Sequence, residues 1–437
     1  MNRRKSASVL SVLLVLIFVT LFAHAAFAAG TPETAARTRS ITYLTHPVLF
    51  AAMGGEAAIS AFTARTGIEV EVITMPIPQI REKIMAEFIA GTSTFDVINM
   101  NDAIFNTDVT PNLEPLDRYL ASSPPVDYSD VIPGVVDMFR VGDSLYAMPN
   151  RVGTGVVYYR TDLFEEYGIA IPRTHAELLE AARRLTLDLD GDGVTDIYGM
   201  GIKAGDTQTL GSDFIRYFFS FGGDLMNDDL TEIRFNRDAG VQTLDLYRTL
   251  VREGLVDQEY TTWLADDLVV AQQQGRVAMA LHFSPSYGRL NNPDVSTIAG
   301  NVSAFPVPTA PGVPIGRTWS SAWGLALNRN SRNKDAGWEL IREFLSPETQ
   351  LRSGLEFNNG PVRASVYQNP RFINFLSEDV AGAWLKGLEN GVGLPPHPQW
   401  AEMEDALSRA VFQVVGGSAS ARDALNRAAQ EVERILR

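Results

Sequence analysis

From Ile41 the chain alternates short apolar runs with longer stretches in which apolar residues recur every three or four positions, the pattern of strands joined by crossover helices. Residues 41–44 predict a first strand. Residues 57–65 predict a helix with Ala58, Ile59 and Phe62 on one side, ended by Gly67 as a left-handed cap. Residues 68–73 then alternate with a period of two. A second helix carries Ile80, Ile84 and Phe88 four residues apart, stops at Gly91 and feeds a strand over 95–100. Three strands with two right-handed crossovers predict an open parallel α/β sheet. Ligands of such sheets lie beyond the carboxyl ends of the strands, where the connecting loops part. That rule puts His46, Asn101 and Asp102 at the edge of a cleft. A second explanation stays open for each, since His-Pro, Asn and Asp are also ordinary turn residues.

A second block opens with the apolar residues 145–149, then Gly153, Gly155 and a strand over 156–159. Pro172 and the capping box Thr174-x-x-Glu177 start a helix that buries Leu178, Ala182 and Leu185. Residues 277–281 predict another strand, with His282 and Ser284 at its carboxyl end. Helices follow around 340–345 and 425–436, and Ser346-Pro347 starts one between them. The Pro-rich run 305–314 reads as a connector, and no fixed-period repeat is present. At the amino terminus, Arg3, Arg4 and Lys5 precede an apolar run of 14 residues, 9–22, and a small-residue stretch. This is the layout of a secretory signal peptide over 1–29, with Ala26-Phe27-Ala28 as the cleavage site. Its apolar core is shorter than the ~20 residues that span a bilayer, so release rather than anchoring is expected.

With 437 residues and 45% hydrophobic content the chain can bury two compact cores. There are 52 acidic and 37 basic side chains, giving −15; without the three basic residues of 1–29, 34 remain and the charge is −18. That balance argues against a basic nucleic-acid groove. The chain has no cysteine, which removes disulfides, thiolate metal sites and cysteine nucleophiles together. Its 5 histidines form no helical metal pair. One acidic loop does carry metal spacing: Asp188, Asp190, Asp192 and Asp196 fall at positions 1, 3, 5 and 9, glycine at 6, and the Val194 carbonyl at 7. Calcium takes six to eight oxygens, and this spacing curls them around one point. Position 12 is Gly199 rather than glutamate, so the cage is incomplete from the loop alone. Structural calcium and an Asp/Gly-rich turn are both open readings.

The ordered segments 66–70, 95–97, 142–149, 158–164 with Gly168-Ile169 and Pro172-Arg173-Thr174, then 274–279, 323–328, 361–365 and 416–425, closely resemble family 1 extracellular solute-binding proteins. These are the maltose-binding-protein-like receptors of ABC sugar importers. The resemblance implies an α/β, two-lobed periplasmic-binding-protein fold with a ligand cleft between discontinuous lobes. It places the lobes at 30–152 with 309–355 and at 153–308 with 356–437, and the crossings near 151–154, 308–321 and 353–361. It further implies a monomer in the periplasm that delivers solute to the permease subunits of the importer. No catalysis, nucleic acid or required cofactor is implied, and calcium is an optional structural ion.

A sugar site needs flat aromatic surfaces and fixed polar groups. Among the 6 tryptophans, Trp338 and Trp384 read as core, whereas Trp319 and Trp323 sit among small polar residues before an apolar strand. By the resemblance Trp323 and Trp263 are cleft positions. Trp400, after a Pro-rich loop, either lines the cleft or caps it. Asp102 can accept from adjacent hydroxyls and Arg151 can donate a planar fork. His46, Asn101, His282, Ser284, Glu356 and Asn358 form a second tier, with burial in the core as the competing fate of each histidine. The function these features predict is capture of a sugar, polyol or short oligosaccharide by hinge closure. The alternatives are a secreted glycoside-active enzyme and a receptor for a charged solute such as a phosphorylated polyol.

Overall fold

The structure, a computed structural model, describes residues 39–436. The predicted export segment at 1–29 lies outside the described residues. Strands β1 (Arg39–Thr45), β2 (Ile68–Thr74) and β3 (Val97–Asn101) are parallel, with β1 between the other two. The helices that connect them are α1 (Pro47–Ala52), α2 (Gly55–Thr66) and α3 (Ile77–Ala90). Both glycine stops act as the sequence implies. Gly67 has φ 68° and donates to Thr63 O; Gly91 has φ 64° and donates to Glu87 and Phe88 carbonyls. A left-handed residue there costs nothing only when it lacks a Cβ.

The remaining long strands are β4 (Ala147–Arg160), β5 (Tyr198–Gly201), β6 (Val277–Phe283), β7 (Val302–Pro306) and β8 (Ser320–Leu327). The first lobe's sheet runs β2-β1-β3-β8-β4, with β8 antiparallel to both neighbours. The sheet is therefore mixed rather than wholly parallel. The reason is that β8 enters from the other lobe. Running backwards, it brings its first residues to the same edge as the carboxyl ends of β1 and β3.

Strand β4 is the hinge. Its first half, through Thr154, pairs with β8, while Gly155–Arg160 pairs antiparallel with β6 and β7 in the second lobe. Gly155 sits where a Cβ would come within 2.7 Å of the Thr318 hydroxyl, so two crossing segments approach more closely here than a larger residue allows. The junction is tied by hydrogen bonds from Ser320 Oγ to Thr154 Oγ1 (2.9 Å) and from Trp384 Nε1 to the Tyr158 hydroxyl (2.9 Å). The second lobe is covered by α4 (His175–Arg184), which starts with the Thr174/Glu177 capping box, and by α5 (Thr207–Ser220) and α6 (Asp238–Arg252).

After β8, helices α7 (Lys334–Phe344) and α8 (Pro347–Phe357) pack on the first lobe, and Ser346 caps α8 by accepting from Thr349 N. The chain then departs from the division at 355/356. The fully buried Arg363 donates to Leu345 O (2.6 Å), Asp127 O (3.0 Å) and Asp130 Oδ2 (3.2 Å), all in the first lobe. Ile132 N likewise donates to Val362 O at 2.9 Å. Residues 361–376 thus remain with the first lobe. The chain leaves it along α9 (Glu378–Glu389), which contacts β4 and β7 at the junction, and ends in the second-lobe helices α10 (Trp400–Val415) and α11 (Ala421–Ile435). Among the described residues no helix is long and apolar enough to cross a membrane.

Candidate functional site

The carboxyl edge of the first sheet gathers side chains from four separate segments. Asn101, Trp323 and Arg151 are cross-strand neighbours on β3, β8 and β4. Between Trp323 and Gly324 the β8/β4 register slips, leaving Asn150 as the extra residue of a bulge. Bulges bend a strand and re-aim its next side chain. Here the side chain after the bulge is Arg151, a half-buried guanidinium with no hydrogen bond and no carboxylate within 4 Å among the described residues. Burial lowers its pKa, because nothing nearby compensates the desolvated charge.

His46 follows β1 and caps α1, its Nδ1 accepting from Val48 N at 3.3 Å. Its ring lies 6.1 Å from that of Trp323, and burial together with the Arg151 charge depresses its pKa. Asn101 holds the turn after β3 by accepting from Ile104 N at 3.1 Å. Both residues therefore serve as turn formers at the cleft edge. Asp102 differs. Its Oδ1 accepts from Ser321 Oγ at 2.9 Å, but its Oδ2 is buried without a partner. Desolvation pushes this carboxyl up to about 6, against the hydrogen bonds that favour its ionised form.

The facing wall belongs to the second lobe. Trp319 meets Phe283 edge-on at 5.3 Å, and the Arg216 guanidinium lies 4.2 Å over Phe283 and 5.4 Å from Trp319. Arg216 and Lys203 share the buried carboxylate of Asp213, which also accepts from Tyr247 OH at 3.2 Å. Two cations on one anion leave this wall with a positive excess, and burial lowers the Lys203 pKa to about 8. Trp400 is buried at the start of α10 with its indole N–H unpartnered, oriented toward Glu404 one turn later. Glu404 is pushed up to about 7, first by burial and then by the charge of Asp102. The lobes touch beside this pair, Thr107 N donating to Pro396 O at 3.0 Å.

The other expected site residues lie elsewhere. Trp263 is buried in a small cluster with Leu268, Ala271, Val277 and Ala280, and Arg276 sits 5.5 Å over its ring. Its apolar body completes the α/β packing behind β6. His282 is a core histidine: its Nε2 pairs with Gln272 Oε1 at 2.9 Å, and burial holds its pKa well down. Ser284 is a hinge tie, buried and accepting from Thr154 N at 3.3 Å. Glu356 is exposed on α8. Asn358 ends that helix at φ 48° and reaches across to the Pro285 carbonyl, with its own Oδ1 buried and unpartnered.

Three contributors escaped the sequence reading: Glu404, Ser321 and Arg216. Trp400 and Glu404 are four apart on one helix face, and Asp213 and Arg216 are three apart in an otherwise apolar helix; both spacings were available. In the acidic loop, Asp188, Asp190 and Asp196 each offer an oxygen within 4.8 Å of the others. Backbone N–H groups of Gly191, Gly193 and Leu189 donate to Asp188 and Asp196, curling the loop as the spacing implies.

The model of the family "Bacterial extracellular solute-binding protein" matches residues 52–351. The chain belongs to this family. A Deinococcus radiodurans member named "Probable ABC transporter-binding protein" is 24% identical over 380 residues, 86% of this chain and 88% of its own length. Among solved structures, the sugar-binding protein MalE from Xanthomonas citri has a TM-score of 0.78 at 22% identity, covering 91% of this chain and 97% of that one. A solute-binding protein of an ABC transporter from Agrobacterium radiobacter K84, in complex with ribitol, has a TM-score of 0.71 at 23% identity, covering 91% and 98%. The chain shares the two-lobed fold of these solved solute-binding proteins.

Proposed function

We propose that this chain is the exported receptor of an ABC importer that captures a polyol or sugar between its lobes and releases it unaltered. The observation that carries the reading is the pairing of unsatisfied polar atoms with aromatic surfaces on both sides of the hinge. Arg151 and the buried Asp102 Oδ2 adjoin Trp323 on one wall, and on the other Trp400 lies with Glu404, which feels the charge of Asp102. A ring of hydroxyls both donates and accepts, so it can satisfy such a mixed set, while its C–H face lies on indole. Contacts to both walls give the ligand a higher affinity for the closed state, and closure follows. The importer would then recognise the closed form.

Two carboxyl groups across a sugar cleft are also what a glycoside hydrolase requires. Such an enzyme needs one acid held protonated and the other held ionised. Here the surroundings push both Asp102 and Glu404 upward, which suits hydrogen bonding to a neutral solute better than division into acid and base. Export through a cleaved signal, a monomeric state in the periplasm and calcium on the 188–196 loop complete the proposal. Calcium would supply structural cross-linking of that exposed loop, with no part in solute binding. A thermal-shift series with ribitol, mannitol and maltose tests the reading. A ligand at 100 times its Kd raises stability by about 2.7 kcal/mol. Consumption of any of these compounds, seen by NMR, contradicts it.

A further inference from the structure

The second lobe buries an ion cluster behind its cleft wall. Asp213 and Arg216, three apart on α5, and Lys203, just after β5, are 1%, 6% and 3% exposed. Both oxygens of Asp213 are engaged, from three elements: Oδ1 accepts from Lys203 Nζ and from Arg216 Nη1 (3.0 Å), and Oδ2 accepts from the Tyr247 hydroxyl on α6 (3.2 Å). Stability alone is a poor reason for such a cluster. Desolvating two cations and one anion is repaid only when every group is satisfied, and a well-packed apolar set is often at least as stable. Here one positive charge is left over, and Arg216 Nε is buried without a partner.

The cluster aims Arg216. The bond to Asp213 is the guanidinium's one hydrogen bond among the described residues. The group so held lies 4.2 Å over Phe283 and 5.4 Å from the half-buried ring of Trp319, which meets Phe283 edge-on. Phe283 is seated in turn against β4, where a Cβ on Gly153 would come within 3.5 Å of its Cδ1. The backbone of Arg216 is tied to the other crossing segment, its carbonyl accepting from Thr318 Oγ1 at 3.1 Å. One arginine thus joins the aromatic wall to both crossing segments of the hinge. We propose that Asp213 is a positioning residue of the solute site: without touching solute, it fixes the Arg216 guanidinium against Phe283 and Trp319 and so sets the second lobe's aromatic wall before solute arrives. The inference rests on the receptor reading. Arginine has large rotamer freedom, and a solute that had to order it, and the indole beside it, would bind more weakly by that cost.

The test separates loss of charge from loss of the acceptor. In a Lys203→Met background, Asp213→Leu and Asp213→Asn both leave the cluster with the parent's single positive charge, but only the asparagine variant keeps an oxygen that can accept from Arg216. The parent and both double variants, labelled with fluorotryptophan, are compared by fluorine NMR without solute, the Trp319 resonance being identified by its loss in Trp319→Phe. That resonance is expected to shift in Lys203→Met/Asp213→Leu and to return to its parent position in Lys203→Met/Asp213→Asn. Affinity for ribitol, from calorimetry, is expected to fall roughly tenfold in the first and to stay within about twofold of the parent in the second. A cluster that serves stability alone would move the urea midpoint and leave the Trp319 resonance and the affinity where they are. That result overturns the proposal, as does an equal loss in both double variants. Arg216→Lys stands in if the leucine variant does not fold, because it keeps the charge and lacks the planar group. It should displace the same resonance, and an unmoved signal overturns the proposal. If ribitol, mannitol and maltose all fail to bind the parent, the receptor reading fails instead, and the Trp319 resonance alone decides whether Asp213 positions the wall.

Discussion

Replacing Arg151 by methionine separates a binding residue from a structural one, because the two roles predict opposite signs. Arg151 is half-buried at the bulge in β4, makes no hydrogen bond and has no carboxylate within 4 Å among the described residues. The folded protein therefore bears a desolvation cost that no neighbouring carboxylate offsets, in keeping with its lowered pKa. Methionine keeps most of the stem's apolar contact and removes the charge, so the ligand-free variant should be more stable by on the order of 1 kcal/mol. The guanidinium's value appears only with solute. A charged donor to a hydroxyl contributes roughly 1.5–3 kcal/mol, and at about 1.4 kcal/mol per decade the variant should bind about 10 to 150 times more weakly. Urea unfolding gives the first quantity and calorimetry with ribitol the second. A loss of stability with unchanged affinity would refute the reasoning and return Arg151 to the scaffold.

Asp102→Asn should be more stable than the parent at pH 8 by on the order of 3 kcal/mol, since the folded state now bears the cost of ionising a carboxyl whose pKa is pushed up to about 6. The raised pKa favours folding below about pH 4 and the benefit is lost by about pH 6, so the two proteins should converge in acid; urea titrations at pH 4, 6 and 8 check this. Arg363→Met should lower unfolding free energy by about 3–5 kcal/mol, because it strands Asp130 and three first-lobe carbonyls that the fully buried guanidinium now satisfies. Equal urea midpoints would remove Arg363 from that role. At the hinge, a Cβ on Gly360 would lie 1.6 Å from Val152 O, so Gly360→Ala should force the strands apart and cost at least about 2 kcal/mol. For the acidic loop, added calcium should raise Tm in the parent protein and leave Asp188→Ala unchanged, whereas identical melting with calcium and with chelator contradicts calcium binding there.

Much of the first lobe was readable because its signals are local. Gly67 and Gly91 stop helices through their own φ, and Thr174 and Glu177 cap one through a three-residue spacing. The switch-point rule correctly brought Asp102 to the edge of the sheet, and its orphaned Oδ2 lies beyond what spacing can reveal. Other residues are held by packing partners that no local motif marks. His282 looked available at a strand end, but Gln272, ten residues upstream, satisfies it. Trp263 looked like a sugar platform by family position, and an apolar cluster with Arg276 over the ring claims it. The antiparallel entry of β8, the bulge at Asn150 and the late departure from the first lobe after Arg363 depend on pairings between segments far apart in the chain, 236 residues in the case of Arg363 and Asp127. Glu404 is instructive in a different way. It is one of 52 acids in the chain, and only the approach of Asp102 from the other lobe distinguishes it.

Small-angle scattering of the purified protein, with and without saturating ribitol, bears most directly on the claim that two lobes close around a solute held at Asp102, Arg151, Trp323 and Trp400. The account predicts a smaller radius of gyration with ribitol, and no such change in a variant combining Arg151→Met with Trp400→Ala. Tight binding that leaves the scattering curve of the parent protein unchanged would contradict it.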